Sequence, residues 1–239
     1  AFASAMNPDR DRSMPEQRRF YGRRKGRPLR KGQQQLIDTL LQRLALELPS
    51  AGKLDPRSLF APAVRQLWLE IGFGGGEHLA EQARANPDAG IIGCEGFLNG
   101  IATLLAQVAQ HDLKNVRIHP EDARDLLDCL PDAALDRVFL LFPDPWPKRR
   151  HAARRFIQTE RLDQLARLMK PGAEFRVASD DPGYITWALA HLTAHPDFQW
   201  LAQRPRDWRE RPDDWPQTRY EAKALREGRK PCFFRFRRR

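Results

Sequence analysis

The sequence predicts a doubly wound α/β fold: a mostly parallel sheet with helices on both faces. Short apolar runs alternate with helical stretches from residue 66 to the C-terminus, and Pro, Gly or Asp stands at most of the junctions. The first apolar run also ends in a glycine-rich turn, residues 72–76, which opens the next helical stretch. This alternation is typical of parallel sheets whose strands are joined by helices. The 239 residues suffice for one such domain.

The elements follow from the hydrophobic pattern. An amphipathic helix is predicted over Gln34–Leu48, because Leu and Ile recur at helical spacing until Pro49. Seven strands are predicted from the apolar runs at Gln66–Ile71, Gly90–Cys94, Val116–His119, Asp136–Phe142, Glu174–Ala178, Gln199–Ala202 and Cys232–Arg237. Helices fit between them at residues 77–86, 97–111, 122–130, 156–169 and 182–195. We expect a flexible basic arm over residues 1–32 and a single domain over 33–239, with a long polar connection at 204–231 before the final strand at 232–237.

Positive charge is concentrated at the two ends of the chain. The formal net charge is +10, yet residues 1–32 hold ten Lys and Arg against three Asp and Glu, and residues 219–239 hold nine against two. The middle of the chain is therefore mildly acidic, apart from an internal basic cluster at Lys148, Arg149, Arg150, Arg154 and Arg155. Two basic ends and this cluster favour a polyanionic partner such as nucleic acid over a charged solubility tail.

Several classes of protein are disfavoured by composition. Cys94, Cys129 and Cys232 are odd in number and have no close spacing, so neither a disulfide framework nor a CxxC metal site is indicated. His191 and His195 have helical spacing but lack the acid of a zinc hydrolase, so we predict no metal. Since no apolar run approaches the roughly 20 residues that span a bilayer, we expect a cytoplasmic protein without a membrane partner.

The first strand ends in the motif EIGFGGG, residues 70–76. Gly72, Gly74 and Gly76 permit a tight turn and a close approach of the backbone to a ligand. Glu95 ends the second strand, where an acid can accept hydrogen bonds from the ribose hydroxyls of an adenosine. Glu70 would repel the pyrophosphate of a dinucleotide but suits the cationic, phosphate-free S-adenosylmethionine. Both acids have an alternative as ordinary strand-end residues.

Two further acids follow the third and fourth strands. Asp122 starts a helix, so it is either the helix N-cap or an acceptor for the adenine amine, and the two roles are compatible. The motif FPDPWPKRRH, residues 142–151, breaks the fourth strand with prolines that fix the direction of Asp144 and Trp146. Because ligands bind at the carboxyl ends of strands in such folds, we expect these side chains in a crevice with the basic cluster at its rim. A simple proline turn is the alternative.

These motifs resemble those of the bacterial tRNA (guanine-N7)-methyltransferases. The resemblance runs from the basic arm RRFYGRRKGR, residues 18–27, to the last strand. Its most specific elements are EIGFGGG, FPDPWPKRRH and the sequence TRYE at residues 218–221. The family usually has a further Lys or Arg where this chain has Ala153.

The resemblance implies a class I methyltransferase that moves a methyl group from S-adenosylmethionine to N7 of guanine 46 in the variable loop of tRNA. The residues implied at the cofactor site are Glu70, Gly72, Gly74, Gly76, Glu95, Asp122 and Asp144, with Asp144 also the catalytic candidate. Those implied to contact the substrate nucleotide are Lys148, Asp180, Thr218, Arg219, Tyr220 and Glu221, and those implied to contact RNA are Arg150, Arg154 and Arg155. How Asp144, Asp180 and Glu221 divide their roles stays open, and an ion pair with Arg219 is the alternative for Glu221. The family includes monomers and homodimers.

Two other functions fit the sequence less well. An NAD-dependent dehydrogenase is disfavoured by Glu70 and by the missing second nucleotide-binding half. A non-catalytic RNA-binding protein fits the basic ends but has no use for Glu70, Glu95 and Asp144 around a glycine loop. Trp208 and Trp215 in the polar connection either stack on bases or pack over the sheet.

Overall fold

The computed structural model describes residues 21–239, so the first twenty residues of the predicted basic arm lie outside the described residues. The chain forms one seven-stranded sheet with the order β3-β2-β1-β4-β5-β7-β6. Strands β1 to β5 pair in parallel, and β7 runs antiparallel to both β5 and β6. The strands are β1 Gln66–Ile71, β2 Ala89–Cys94, β3 Val116–His119, β4 Leu135–Leu141, β5 Met169–Ser179, β6 Phe198–Trp200 and β7 Cys232–Arg238. The predicted fold class is confirmed.

Helices cover both faces of the sheet. They are α1 Lys31–Leu36, α2 Gln42–Leu44, α3 Glu77–Ala85, α4 Leu98–Gln110, α5 Ala123–Cys129, α6 Thr159–Leu168, α7 Pro182–Ala194, α8 Arg206–Arg209 and α9 Arg219–Arg226. One face packs on α3 and α4 through a core that includes Trp68 and Phe139. The other packs on α5, α6 and α7 through a core that includes Leu69 and Phe175. The central strands are buried from both sides, which is why their sequences read as continuous apolar runs.

The N-terminal helix differs from its prediction at both ends. A π-helical turn, Ile37–Leu41, joins α1 to α2, and the helical segment ends at Leu44 rather than at Leu48. The chain leaves the helix because Ala45 forms an isolated parallel bridge with Ile118 and the Leu46 amide donates to the Ile118 carbonyl at 2.8 Å. The helical spacing of Leu and Ile thus continues to Leu48 in the sequence, whereas in the structure the chain leaves the helix after Leu44 and pairs beside β3.

The predicted helix over 156–169 is also shorter in the structure. Residues Arg149–Arg154 form a 3₁₀ helix, and α6 begins only at Thr159. The Gln158 side chain donates to the carbonyls of Ala152 and Arg155 and so fixes the extended link between the two helices. Strand β5 then starts directly after α6, five residues earlier than predicted.

The polar connection at 204–231 is structured. It contains α8 and α9, and Trp215 between them is 1% exposed, with its ring 5.5 Å from that of Phe233. Trp208 stacks on Phe234 at 6.4 Å between centroids. Both indoles pack over the sheet, which decides the alternative that the sequence left open in favour of packing.

The strand order creates a crevice next to β1. The chain proceeds from β1 outward to β3 and then returns to place β4 on the other side of β1. Loops after β1 and β4 therefore diverge at this switch point, which is where open α/β sheets bind ligands. Across residues 21–239, every helix falls short of the length and apolar character needed to cross a membrane.

Candidate active site

A cavity of about 740 Å³ lies at the carboxyl ends of β1 to β4. Every one of those four strand ends contributes to its wall: Gly72 and Gly74 after β1, Glu95 to Phe97 after β2, Glu121 to Arg124 after β3, and Phe142 to Trp146 after β4. The predicted crevice is therefore present, and it brings together Gly72, Gly74, Glu95, Asp122 and Asp144. A cavity of this size suits a nucleoside-sized ligand.

The glycine loop adopts a backbone that side chains disfavour. Gly72, Gly74 and Gly76 have φ angles of +69°, +57° and +74°, in the left-handed region. Gly76 precedes α3 rather than lining the cavity. Gly100 on α4 permits a further close approach, because a Cβ atom there would lie 2.0 Å from the Gly74 carbonyl oxygen. The loop is thus held tightly between the cavity and α4.

Glu95 holds the ends of β1 and β2 together. Its Oε2 accepts a hydrogen bond from the Gly74 amide at 2.8 Å, and its Oε1 accepts from the Phe97 amide at 2.9 Å. Burial raises the pKa of Glu95, the backbone amides oppose this shift, and the negative charge of Asp144 adds to it. The carboxylate lines the cavity and retains acceptor capacity beyond these two bonds.

Asp122 performs the N-cap role that the sequence allowed. Its Oδ1 accepts from the Arg124 amide, and the Arg124 Nε also donates to Oδ1 at 2.9 Å. Burial raises the pKa of Asp122, but these hydrogen bonds outweigh it, so the pKa lies below its usual value. Asp122 also lines the cavity, so both proposed roles are compatible with its position.

The FPDPW loop carries backbone strain on both sides of Asp144. Phe142 and Trp146 have φ angles of +50° and +43°, a region that bulky residues rarely occupy. The Arg155 Nε donates to the Pro145 carbonyl at 2.9 Å, and its Nη2 donates to the Trp146 carbonyl at 3.2 Å. These bonds fix the loop and leave the Asp144 side chain exposed at the cavity wall.

The described part of the arm crosses the cavity. Tyr21, Gly22 and Arg23 line it, and the Leu98 amide donates to the Arg24 carbonyl at 3.0 Å. The Asn99 side chain accepts from the Gly26 amide at 2.7 Å and donates to the Arg27 carbonyl at 2.7 Å. The arm is therefore attached to the start of α4, which no signal in the sequence indicated.

Arg154 lies between two aromatic rings at the mouth of the cavity. Its guanidinium is 4.6 Å from the Tyr21 ring centroid and 5.0 Å from that of Trp146. Arg155 also binds the FPDPW loop, so two of the three arginines predicted to contact RNA, Arg154 and Arg155, are half-buried and make contacts within the site. Lys148, Arg149 and Arg150 are exposed and stand in the sequence between Trp146 and Ala153, which line the cavity.

The last basic residues of the chain, on β7, lie away from the cavity. Because β7 is antiparallel to β5, Cys232 pairs with Ser179 at the carboxyl end of β5, and the chain then runs away from the cavity until Arg237 pairs with Glu174. The exposed Arg237 and Arg239 are therefore at the edge of the sheet opposite the cavity. The composition shows how much positive charge the C-terminal segment carries, but not where in the fold that charge lies.

The TRYE sequence packs on the glycine loop. Thr218 is the N-cap of α9 and accepts from the Glu221 amide, and the Tyr220 ring is so close that a Cβ atom on Gly74 would lie 2.8 Å from it. Arg219 pairs with Glu77 at 3.5 Å. Glu221 is 5% exposed and pairs with Arg211 at 3.1 Å, so the suggested ion pair between Glu221 and Arg219 is not the one that forms.

The predicted site residues that lie outside the cavity wall are Glu70, Gly76, Lys148, Arg150, Asp180, Thr218, Arg219 and Glu221. Glu70 is buried and its Oε2 is 2.7 Å from the His78 Nδ1. Asp180 accepts a hydrogen bond from Arg229, beyond the end of β5. Sequence reasoning in turn missed Arg124 and Arg161, which line the cavity. The position of Arg124 two residues after Asp122 was the available signal for the first of these.

Comparison with known proteins agrees with this geometry. A family model described as "Putative methyltransferase" matches residues 64–233. A tRNA (guanine-N(7)-)-methyltransferase of Rhodospirillum rubrum is 60% identical over 94% of this chain and 89% of its own length. Proteins of the same name from Paramagnetospirillum magneticum and Ruegeria pomeroyi are 55% and 50% identical, over 94% and 98% of this chain and the same shares of their own lengths.

Solved structures with the same fold are more distant. The 16S rRNA methyltransferase KamB has a TM-score of 0.51 at 16% identity, over 79% of this chain and 96% of its own. An rRNA methylase from Streptococcus thermophilus has a TM-score of 0.50 at 9% identity, over 72% and 86% of the two chains. These likenesses support the α/β methyltransferase fold alone. The sequence relatives, which match almost end to end, go further: the chain belongs to the tRNA (guanine-N(7)-)-methyltransferase family.

Proposed function

We propose that this chain transfers the methyl group of S-adenosylmethionine to N7 of a guanine in tRNA, at position 46 of the variable loop. The observation that carries the proposal is the cavity at the β1/β4 switch point, where Glu95 and Asp144 face a ligand space under an arginine-rich rim. The names of the relatives supply the substrate and the reacting atom. The shared family makes this transfer the expected activity.

The cavity residues fit the proposed donor. Glu95 has acceptor capacity for the ribose hydroxyls, and Gly72 and Gly74 remove the side chains that would occupy the space beside it. Acidic groups at the wall suit a donor that carries a sulfonium cation and no phosphate. When bound, S-adenosylmethionine supplies an electrophilic methyl group to an incoming nucleophile.

For this reaction the protein must position the guanine against the methyl donor and stabilise the developing positive charge. Guanine N7 carries a lone pair and no proton, so the step needs no general base. The N7–CH₃ bond forms as the S–CH₃ bond breaks, and positive charge passes from the sulfur to the purine. Asp144 can accept from the guanine N–H groups and stabilise this charge, because the strained FPDPW loop fixes its direction.

The rim provides the approach for tRNA. Lys148, Arg149 and Arg150 are exposed beside the cavity mouth, where they can contact phosphates. Tyr21 and Trp146 place aromatic rings at the same mouth, with Arg154 between them. Flat side chains at this point can stack on a base that leaves the tRNA loop.

The proposed function is tested by transfer of a labelled methyl group to unmodified tRNA, followed by borohydride and aniline cleavage, which cuts at 7-methylguanine. We expect one cut in the variable loop, and no label in a tRNA that carries adenine at position 46. Label without the cut would contradict the assignment to N7, and cofactor binding without label in tRNA would contradict tRNA as the substrate.

Replacing Asp144→Asn should lower kcat by about 10² to 10³, because the neutral amide cannot stabilise the developing positive charge. The affinity for tRNA, measured by filter binding, should stay within about threefold, since it rests on phosphate contacts. The control is Asp88→Asn, an exposed acid beside the amino end of β2. Equal losses of turnover and tRNA affinity would refute this division of labour.

Replacing Arg155→Ala should loosen the FPDPW loop, because the carbonyls of Pro145 and Trp146 lose their charged donor. Hydrogen bonds to charged groups contribute about 1.5–3 kcal/mol, so the melting temperature should fall by roughly 3–8 °C together with kcat. The matched variant Arg150→Ala changes an exposed arginine of the same segment and should weaken tRNA binding without lowering the melting temperature. If both variants weaken tRNA binding and neither alters the melting temperature, Arg155 does not organise the loop.

A further inference from the structure

Helix α7 contacts the segment behind the FPDPW loop through one side chain, Trp187. The helix packs into the core by Tyr184, Ala188 and Leu192, each of which is 0% exposed. Trp187 is half-buried and packs against the same core, but it does not line the cavity. Its position is therefore set by the helix and the core, independently of any ligand.

Trp187 makes two contacts with the segment that follows the 3₁₀ helix. The Arg155 guanidinium lies 4.8 Å from the Trp187 ring centroid, within the distance of a cation–π interaction. The Trp187 Nε1 donates to the Ile157 carbonyl at 2.7 Å, and the Ile157 side chain is fully buried. The indole thus binds residues 155–157 both by its ring face and by its N–H group.

His191, one turn further along α7, packs on the indole. Its ring centroid is 4.1 Å from that of Trp187, with an angle of 31° between the ring planes. The His191 Nδ1 lies 2.9 Å from the Trp187 carbonyl oxygen, which assigns a proton to Nδ1. The imidazole is therefore fixed by its own hydrogen bond, and it restricts rotation of the indole against which Arg155 lies.

Arg155 connects the indole to the loop that carries Asp144. Its Nε and Nη2 donate to the carbonyls of Pro145 and Trp146, on the C-terminal side of Asp144. A guanidinium is planar and presents its donors in a rigid fork, so a contact that fixes the plane also fixes the direction of both hydrogen bonds. The orientation of Trp187 therefore affects a loop whose backbone is strained at Trp146.

We propose that Trp187 is a positioning residue that acts through Arg155 to hold the FPDPW loop, and with it the Asp144 carboxylate, at the cavity wall. The inference rests on the proposed function, because that function makes the direction of Asp144 important for methyl transfer. Helix α7 begins directly after Asp180, with Asp181 as its N-cap. The same helix thus fixes both the segment after β5 and the loop after β4.

An indole suits this position because it combines a flat face for a cation with a donor for a carbonyl. Without the face, the long Arg155 side chain regains rotamer freedom and can turn to solvent, which releases the loop carbonyls. Phenylalanine keeps an aromatic face but lacks the N–H donor. Methionine fills the space without either group. Substitutions at Trp187 therefore separate the two contacts.

The test compares Trp187→Met and Trp187→Phe with Arg155→Ala and with the double variant that combines Trp187→Met and Arg155→Ala. The matched control is Trp208→Met. Trp208 is also half-buried and has the Arg209 guanidinium 4.6 Å from its ring centroid, but it packs on Phe234 and does not line the cavity. We measure kcat and KM for tRNA, the melting temperature, and amide hydrogen exchange over residues 142–157.

For Trp187→Met we expect kcat to fall by about fivefold or more, with KM for tRNA within about threefold and faster exchange over 142–157. In the Arg155→Ala background, the same substitution should lower kcat by less than about twofold, because its effect passes through Arg155. Trp187→Phe should keep kcat within about twofold of the parent protein, since the ring face remains. Trp208→Met should lower the melting temperature but leave kcat and this exchange unchanged.

The proposal is overturned if the losses in kcat multiply in the double variant, since Trp187 would then act independently of Arg155. It is also overturned if Trp187→Met lowers the melting temperature and leaves kcat and the exchange of 142–157 unaltered. If Trp187→Met fails to fold, a loss of kcat of about fivefold in Trp187→Phe still overturns the proposal, because that variant retains the ring face. A parent protein that binds the donor but does not methylate tRNA would instead contradict the proposed function, and the exchange results would still test the positioning role.

Discussion

The site depends on one carboxylate, Glu95, which accepts hydrogen bonds from the amides of Gly74 and Phe97. These bonds connect the loop after β1 to the loop after β2 and hold both at the cavity wall. Gly74 has a left-handed backbone and packs on Gly100, and Glu95 supplies the acceptor that its amide needs there. The tight glycine loop, the open space beside it and the acidic surface of that space all follow from this arrangement.

Much of the fold was predictable because parallel strands between helices are buried on both sides and end at Gly, Pro or Asp. The bounds of β1 and β3 agree with the sequence pattern, and β4 begins and ends one residue earlier than predicted. The meeting of Gly74, Glu95, Asp122 and Asp144 was also predictable, since the carboxyl ends of parallel strands share one edge of a sheet. Local pattern and topology together were enough for these features.

The rest could not be read from local pattern, because it depends on contacts between distant residues. Residues 21–27 attach to Asn99, more than 70 residues along the chain. Arg154 and Arg155 read as surface charge but bind rings and carbonyls of the site. Glu70 is predicted at the cofactor site, and the sequence does not indicate that its Oε2 pairs with His78 of α3. In each case the residue type was informative, but the sequence did not indicate which residue it contacts.

The most direct test of the central claim, that the donor binds at the β1/β4 switch point, is amide hydrogen exchange with and without S-adenosylmethionine. The account predicts slower exchange at four separate strand ends, in residues 72–76, 95–97, 121–124 and 142–146. It predicts no change at the opposite edge of the sheet, near residues 86–89. Protection confined to that opposite edge, or absent from the glycine loop, would contradict the assignment of this cavity as the donor site.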